Sequence, residues 1–191
     1  MSADPLPTSF YDRPAAAVAR GLLGCVLVSE ISGRRTAGRI VDVEAYVASD
    51  DPANHANRGQ TRRNAAMFGP PGHAYVYLIY GVHYCFNAVC GPAGVGEAVL
   101  IRAIEPIEGL EVMADRRGVT GVALSNGPGK VCEALAITLE HNAIPLTEPP
   151  LYILRRTPPP EPIHQTTRVG CPSTPALPLR WYLLGNPFVS S

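Results

Sequence analysis

The strongest constraint on the fold of this chain is a pair of β-forming runs with a glycine in the short segment between them. The first run, residues 73–80, is rich in tyrosine and aliphatic residues, and residues 84–89 resume the pattern after Gly81. Glycine accepts a positive φ angle at no steric cost, so the chain can reverse its direction at Gly81. We therefore predict a β-hairpin with Tyr80 at its turn.

Proline and glycine are frequent along the whole chain. The sequence contains 20 prolines and 18 glycines, which favours turns and short elements over a helical bundle. Hydrophobic periodicity predicts further strands at residues 26–31, 39–46, 98–103 and 179–184. It predicts helices at residues 15–22, 61–68, 108–117 and 128–139. With a hydrophobic fraction of 46% and no internal repeat, we expect one domain over residues 1–191.

Charge and cysteine content limit the possible function classes. The 16 basic residues balance the 16 acidic ones, which argues mildly against a nucleic-acid-binding domain. A cationic face nevertheless stays possible, because the first third of the chain is rich in arginine, including Arg34, Arg35, Arg39, Arg58, Arg62 and Arg63. The five cysteines lack a C-x-x-C pattern, so buried reduced thiols are expected rather than a disulfide framework or a zinc finger.

The apolar segments are too short for a membrane protein. No run approaches the roughly 18 apolar residues that a membrane span needs. Residues 1–7 also lack the charged and apolar parts of a signal peptide. We therefore expect a soluble, intracellular protein without membrane contact.

Glu44 and Tyr46 are the first candidates for a chemical site. Strand alternation places them on the same face, where a carboxylate can accept a proton from water and a ring can stack on a planar ligand. An exposed glutamate without function is the alternative. His55, in a polar loop, is a candidate for stacking or for metal binding, but no second histidine has the H-x-x-x-H spacing of a metal site.

Three further groups of residues have two possible interpretations each. Tyr75 and Tyr77 share a strand face, and for Tyr75 packing in the core is favoured. Tyr80, at the turn, has no core to join and could wedge into a stacked duplex. Arg102 follows an apolar strand and is expected to pair with a carboxylate such as Glu44, either in a site or as a structural ion pair. Backbone amides at residues 126–130 could hold a phosphate together with Lys130, or could simply begin a helix.

Taken together in chain order, these segments resemble the alkyladenine DNA glycosylase family, also called methylpurine or 3-methyladenine DNA glycosylases. The similarity covers most of the chain. It is carried by residues 43–46, 55, 60–61, 63–64, 67–68, 75–81, 87, 100–103, 105–106, 108–109, 127–130, 134–136, 168–170, 180–182 and 185–187.

The resemblance implies a role for each matching position. Glu44 would be the general base that activates water, and Arg102 would help to hold that water. Tyr80 would fill the gap that the flipped nucleotide leaves in the duplex, and Asn87 would discriminate against the guanine amino group. Three aromatic side chains would enclose the flipped base: Tyr46, His55 and Tyr77.

The resemblance also implies a fold, a partner and a reaction. The fold would be α+β, a single mixed domain with a largely antiparallel curved sheet, flanking helices and a protruding hairpin that inserts into DNA. The partner would be damaged double-stranded DNA, with Arg63 and Lys130 as candidate contacts to its backbone. We expect a monomer in the cytoplasm or nucleoid, and neither cofactor nor metal.

The expected reaction is hydrolytic release of alkylated or deaminated purines. The 3-methyladenine type is the first candidate, and hypoxanthine and ethenoadenine are further ones. Lys130 is the only lysine and is distant from Glu44 in the sequence, so we predict a monofunctional enzyme without Schiff-base strand cleavage. A non-catalytic protein that recognises damaged bases is the alternative.

Overall fold

The computed structural model describes residues 4–155, 161–171 and 176–190. The strands in these ranges are β1 Val26–Ser29, β2 Thr36–Tyr46, β3 Ala74–Ile79, β4 His83–Cys90, β5 Glu97–Glu108, β6 Leu151–Leu154, β7 Ile163–Thr166 and β8 Arg180–Leu183. The α-helices are α1 Thr8–Tyr11, α2 Ala15–Leu22, α3 Leu110–Arg117 and α4 Pro128–Ala134. Short 3-10 helices cover Ile31–Gly33, Ala65–Phe68, Gly121–Leu124 and Leu139–His141.

All eight strands belong to one curled, antiparallel sheet. The main path is β3-β4-β5-β2-β1-β6, and β8 pairs with both β2 and β7. This confirms, for the described residues, the expected α+β fold with a largely antiparallel sheet and flanking helices. Protrusion of the hairpin from the surface stays a prediction.

Strand β2 organises the sheet because it has neighbours along both of its edges. One edge pairs with β5 over nearly the whole strand, and the other pairs with β1 at residues 36–39 and with β8 at residues 42–44. The register with β5 shifts on both sides of Asp42. Such a bulge bends a strand and re-aims the side chains that follow it. As a result, Val43 and Ala45 join the main core, while Asp42 and Glu44 lie on the other face.

The two faces of the sheet have different packing partners. On one face, Val76, Phe86 and Ile101 form the main hydrophobic core with residues of α2 and α4. The other face carries a smaller apolar cluster in which Tyr77 and Leu100 take part. Because successive side chains of a strand point to opposite faces, the same strands contribute to the core on one face and can form the wall of a site on the other.

The predicted hairpin is present. Strands β3 and β4 pair from Ala74–Ala88 to Ile79–His83, and both Tyr80 and Gly81 adopt positive φ angles, of 52° and 72°. A three-residue turn with left-handed geometry matches the twist of antiparallel strands. Tyr75 is buried as expected, but it packs in the smaller apolar cluster on the other face and not in the main core.

Other elements differ in extent from their predictions. The helix expected at residues 128–139 ends at Ala134, where Ala136 takes a positive φ of 57° that a helix cannot accommodate. Strands β6 and β7 were not predicted. Four of the five cysteines are buried as expected, but Cys171 is only half-buried. In the described parts of the chain, no helix has the length and hydrophobicity to cross a membrane.

A buried ion pair joins the loop after β2 to the segment before β8. The guanidinium of Arg168 donates to both carboxylate oxygens of Asp51, at 2.5 and 2.7 Å, and to the carbonyl of Ala45 at 3.0 Å. The Asp51 carboxylate also accepts the backbone N–H groups of Val47 and Ala53, both at 3.2 Å. The side chains of Arg168 and Asp51 are 1% and 0% exposed, so this pair fixes two loops with no competition from solvent.

We expect the Asp51→Asn substitution to lower the free energy of unfolding by about 3 kcal/mol or more, because it leaves a buried guanidinium without its counter-charge. Denaturant unfolding followed by circular dichroism measures this loss. The matched control is Glu108→Gln, which removes an exposed partner of Arg35 and should cost about 1 kcal/mol or less. Equal losses in the two variants would contradict the prediction.

Candidate active site

A cavity of about 300 Å³ opens on the face of the sheet opposite the main core. Strands β2, β3, β4 and β5 line it, together with residues 53–55 and 169–171. Its size lies at the lower end of the roughly 300–1,000 Å³ range of small-molecule pockets. It can therefore accommodate a single planar group of the size of a nucleobase.

The Glu44 carboxylate lies directly behind the wall of this cavity. Its Oε1 accepts the backbone N–H of Val169 at 2.7 Å and forms an ion pair with Nη1 of Arg102 at 3.1 Å. Its Oε2 accepts the hydroxyl proton of Tyr46 at 3.1 Å. All three partners line the cavity, although Glu44 itself is 0% exposed. The alternative of an exposed strand-end glutamate is therefore wrong.

The carboxylate retains capacity for one more ligand. An ionised carboxylate has about four acceptor positions, and the partners just described use three of them. The fourth position has no hydrogen-bond partner among the described residues, and the side chain itself is 0% exposed. Arg102 is similarly incomplete, since its Nη2 forms no hydrogen bond with the described residues.

Aromatic side chains form much of the cavity wall. The rings of His55 and Tyr77 meet edge to face with centroids 4.6 Å apart, and Tyr46 lines the same cavity. Burial raises the pKa of the Tyr77 phenol well above its usual range, and burial together with the Glu44 charge does the same for the pKa of Tyr46. Both phenols therefore stay neutral at physiological pH.

His55 is held in place by a residue of the second apolar cluster. Its Nδ1 lies 2.9 Å from the hydroxyl of Tyr75, whose pKa burial raises to about 12. Burial, and then the positive charge of Arg63, lower the pKa of His55. The imidazole is therefore neutral at physiological pH and adds no positive charge to the cavity.

Asn87 reaches the cavity from β4. It pairs with Tyr75 on one side and with Leu100 on the other, and its Nδ2 donates to the carbonyl of Tyr75 at 3.0 Å. This hydrogen bond fixes the orientation of the amide. Asn87 can therefore act as a rigid part of the wall.

The three candidates for DNA contact lie outside the buried part of the site. Tyr80 is 87% exposed at the hairpin turn and also borders the cavity. Arg63 is exposed and donates to the carbonyl of Leu78 at 3.0 Å, which places it beside the hairpin. Lys130, on α4, is half-buried and donates to Oδ1 of Asn126 at 2.7 Å.

Sequence reasoning missed the charged residues behind Glu44. Asp42 is fully buried and accepts from Nε and Nη2 of Arg180 at 3.0 and 2.8 Å. Ser190 links Asp42 to Arg102. The alternation of β2 could have pointed to Asp42, which is two residues before Glu44 on the same face.

Two further contacts of Tyr46 were also missed. The guanidinium of Arg168 stacks on the Tyr46 ring, 4.6 Å from its centroid. The Sγ of Cys171 lies 3.8 Å from the Tyr46 hydroxyl. Nothing in the local sequence signals either contact. As for metals, no cluster of three or more histidine, cysteine, aspartate or glutamate side chains suited to an ion occurs within residues 4–155, 161–171 and 176–190.

Comparison with known proteins identifies the family to which this arrangement belongs. The family model described as methylpurine-DNA glycosylase matches residues 9–187. A relative from Methanoculleus marisnigri is 52% identical over 97% of this chain and 98% of its own length. Relatives from Carboxydothermus hydrogenoformans and Nitrosospira multiformis are 49% and 46% identical, over 97% and 96% of this chain and 98% and 93% of their own lengths. All three carry the provisional name 3-methyladenine DNA glycosylase.

These matches confirm the resemblance that the sequence motifs indicated. Since the family model spans nearly the whole chain, the chain belongs to the methylpurine-DNA glycosylase family, whose members are hydrolases of N-glycosyl bonds.

Proposed function

We propose that this chain is a monofunctional DNA glycosylase that flips an alkylated purine out of duplex DNA and hydrolyses its N-glycosidic bond. The observation that carries the proposal is the buried Glu44 carboxylate, placed directly behind a cavity of about 300 Å³ with aromatic walls. Purines of the 3-methyladenine type are the first substrate candidates, with hypoxanthine and ethenoadenine as further ones. Residues 1–191 would act as a single domain and as a monomer.

The cavity suits a base that carries its own positive charge. A glycosylase must take the target nucleotide out of the stack, at a cost of a few kcal/mol. A cationic alkylated purine recovers about 0.5–2 kcal/mol when it stacks on a ring face away from water. Tyr46, Tyr77 and His55 supply neutral rings for this contact, so none of them repels a cationic base.

The proposed reaction needs only one carboxylate. Glu44 accepts a proton from a water molecule, the water oxygen bonds to C1′ of the sugar, and the electron pair of the C1′–N bond leaves with the base. A cationic purine departs as a neutral molecule, so it needs no proton from an acid. Arg102 would orient the water with Nη2, which forms no hydrogen bond with the described residues.

Exposed residues at the rim of the cavity and beside it would hold the DNA while the nucleotide is flipped out. Tyr80, exposed at the hairpin turn, would insert into the gap that the flipped nucleotide leaves. Arg63, exposed beside the hairpin, would contact the phosphate backbone, and Lys130 would do so from α4. Because Lys130 is the only lysine and is held by Asn126, we do not expect strand cleavage through a Schiff base.

We expect Glu44→Gln to slow base release roughly 10²-fold or more, because the amide cannot accept the water proton. The measurement is release of the base from alkylated duplex DNA in the presence of EDTA. The control is Glu140→Gln, which changes an exposed glutamate that does not line the cavity and should leave the rate unchanged. If wild type and Glu44→Gln both bind the lesion duplex tightly and neither releases the base, the protein is a non-catalytic recogniser instead.

Tyr80→Ala should weaken binding to a lesion-containing duplex about tenfold or more, since it removes an aromatic contact that is worth roughly 1–3 kcal/mol per base. Tyr80→Phe should retain the affinity, because the ring and not the hydroxyl fills the gap. Fluorescence anisotropy with a labelled duplex measures both values. Leu184→Ala, which changes a half-exposed apolar side chain after β8, is the control. A loss of affinity in this control equal to that of Tyr80→Ala would refute the wedge.

Asn87→Ala should raise the release of unmodified guanine roughly tenfold or more, because a smaller side chain leaves space for the exocyclic amino group. Chromatography of the bases released from undamaged DNA measures this change. Release of 3-methyladenine, measured in parallel, should change much less. Asn186→Ala, outside the cavity lining, is the control, and an unchanged guanine rate in Asn87→Ala would show that another residue sets this selectivity.

A further inference from the structure

Ser190 lies between two charged residues behind the candidate active site. Its hydroxyl donates to Oδ2 of Asp42 at 2.6 Å and accepts the Nε–H of Arg102 at 2.9 Å. The direction of both bonds is fixed, because a guanidinium can only donate. A continuous chain of polar contacts therefore runs from Asp42 through Ser190 and Arg102 to Glu44, which Nη1 of Arg102 approaches at 3.1 Å.

The backbone of Ser190 is anchored independently of its hydroxyl. Its N–H donates to Asp42 at 3.1 Å, and its carbonyl accepts from Nη2 of Arg180 at 2.6 Å. Arg180 in turn binds both oxygens of Asp42 from the neighbouring strand β8. Ser190 is 5% exposed, so water does not compete for the hydrogen bonds of its hydroxyl.

The hydroxyl bridges a gap that Arg102 cannot close by itself. The Nε of Arg102 is 3.8 Å from Oδ2 of Asp42, beyond the distance of a hydrogen bond. Asp42 and Glu44 are both buried on the same face of β2, and Arg102 lies within 4 Å of each, although Arg180 is the main partner of Asp42. Without Ser190, rotation of the guanidinium toward Asp42 would move Nη1 away from Glu44.

We propose that Ser190 is a positioning residue, which holds the Arg102 guanidinium toward Glu44 by bridging it to Asp42. The inference rests on the proposed function, since it assigns a task to Ser190 in the same hydrolysis. Ser190 does not line the cavity, so its hydroxyl acts on the reaction through Arg102 and makes no contact with the flipped base. Its loss should therefore change the rate of base release and leave the affinity for DNA unchanged.

The test compares single-turnover base release and duplex affinity in wild type, Ser190→Ala and Ser190→Thr. Ser190→Ala should release the base about tenfold more slowly, because it loses a hydrogen bond to a charged group on which the geometry of the reaction depends. Its affinity for the lesion duplex should equal that of wild type. Ser190→Thr keeps the hydroxyl and should recover most of the rate.

The matched control is Ser125→Ala. Ser125 is likewise buried, and its hydroxyl donates to the carbonyl of Ile104 at 2.6 Å, so its loss should affect stability without affecting the rate. All rates are measured at a temperature at which every variant is folded by circular dichroism.

Each outcome separates the inference from the proposed function. Wild type that releases no base overturns the proposed function. If the wild type is active, three results would overturn the inference alone. They are a full rate in Ser190→Ala, a loss of affinity instead of rate in that variant, and an equal slowing of release in Ser125→Ala.

Discussion

The burial of two carboxylates on one face of β2 is the constraint on which the rest of the structure depends. Removing Asp42 and Glu44 from water is tolerated only if each gains a counter-charge and hydrogen bonds. Arg180 from β8 and Arg102 from β5 supply these charges, so the strands that carry them must flank β2 on its two edges. The order of the strands in the sheet therefore also determines which arginines neutralise the buried carboxylates of the site.

The distribution of ion pairs on the surface explains why a net charge of zero is compatible with a family of DNA glycosylases. Of the arginines that suggested a cationic face, two are neutralised locally: Arg35 by Glu30 and Glu108, and Arg39 by Glu105 and Glu161. Four others are exposed and form no ion pair with the described residues: Arg34, Arg58, Arg62 and Arg63. Of these, Arg63 lies beside the hairpin and donates to a backbone carbonyl. Several cationic side chains on the surface thus remain free to meet DNA, and the overall sum of charges does not reveal them.

Much of the candidate site follows from local pattern. The alternation of β2 predicts that Glu44 and Tyr46 share a face, and the glycine between two β-forming runs predicts the hairpin that presents Tyr80. Such features depend only on neighbouring residues, so the sequence reveals them. The pairing of Arg102 with Glu44 was also expected, and the two side chains lie 3.1 Å apart.

The sequence by itself determined the strand alternation, the hairpin turn and the family, because each is encoded in short segments or in their order. Only the tertiary structure decided which charges meet. Asp42 and Arg180 are 138 positions apart, and Asp51 and Arg168 are 117 apart. Contacts at such separations depend on strand order, on the bulge in β2 and on the path of the loops. No local pattern specifies these, so the place of Ser190 beside Arg102 appears only once the chain is folded.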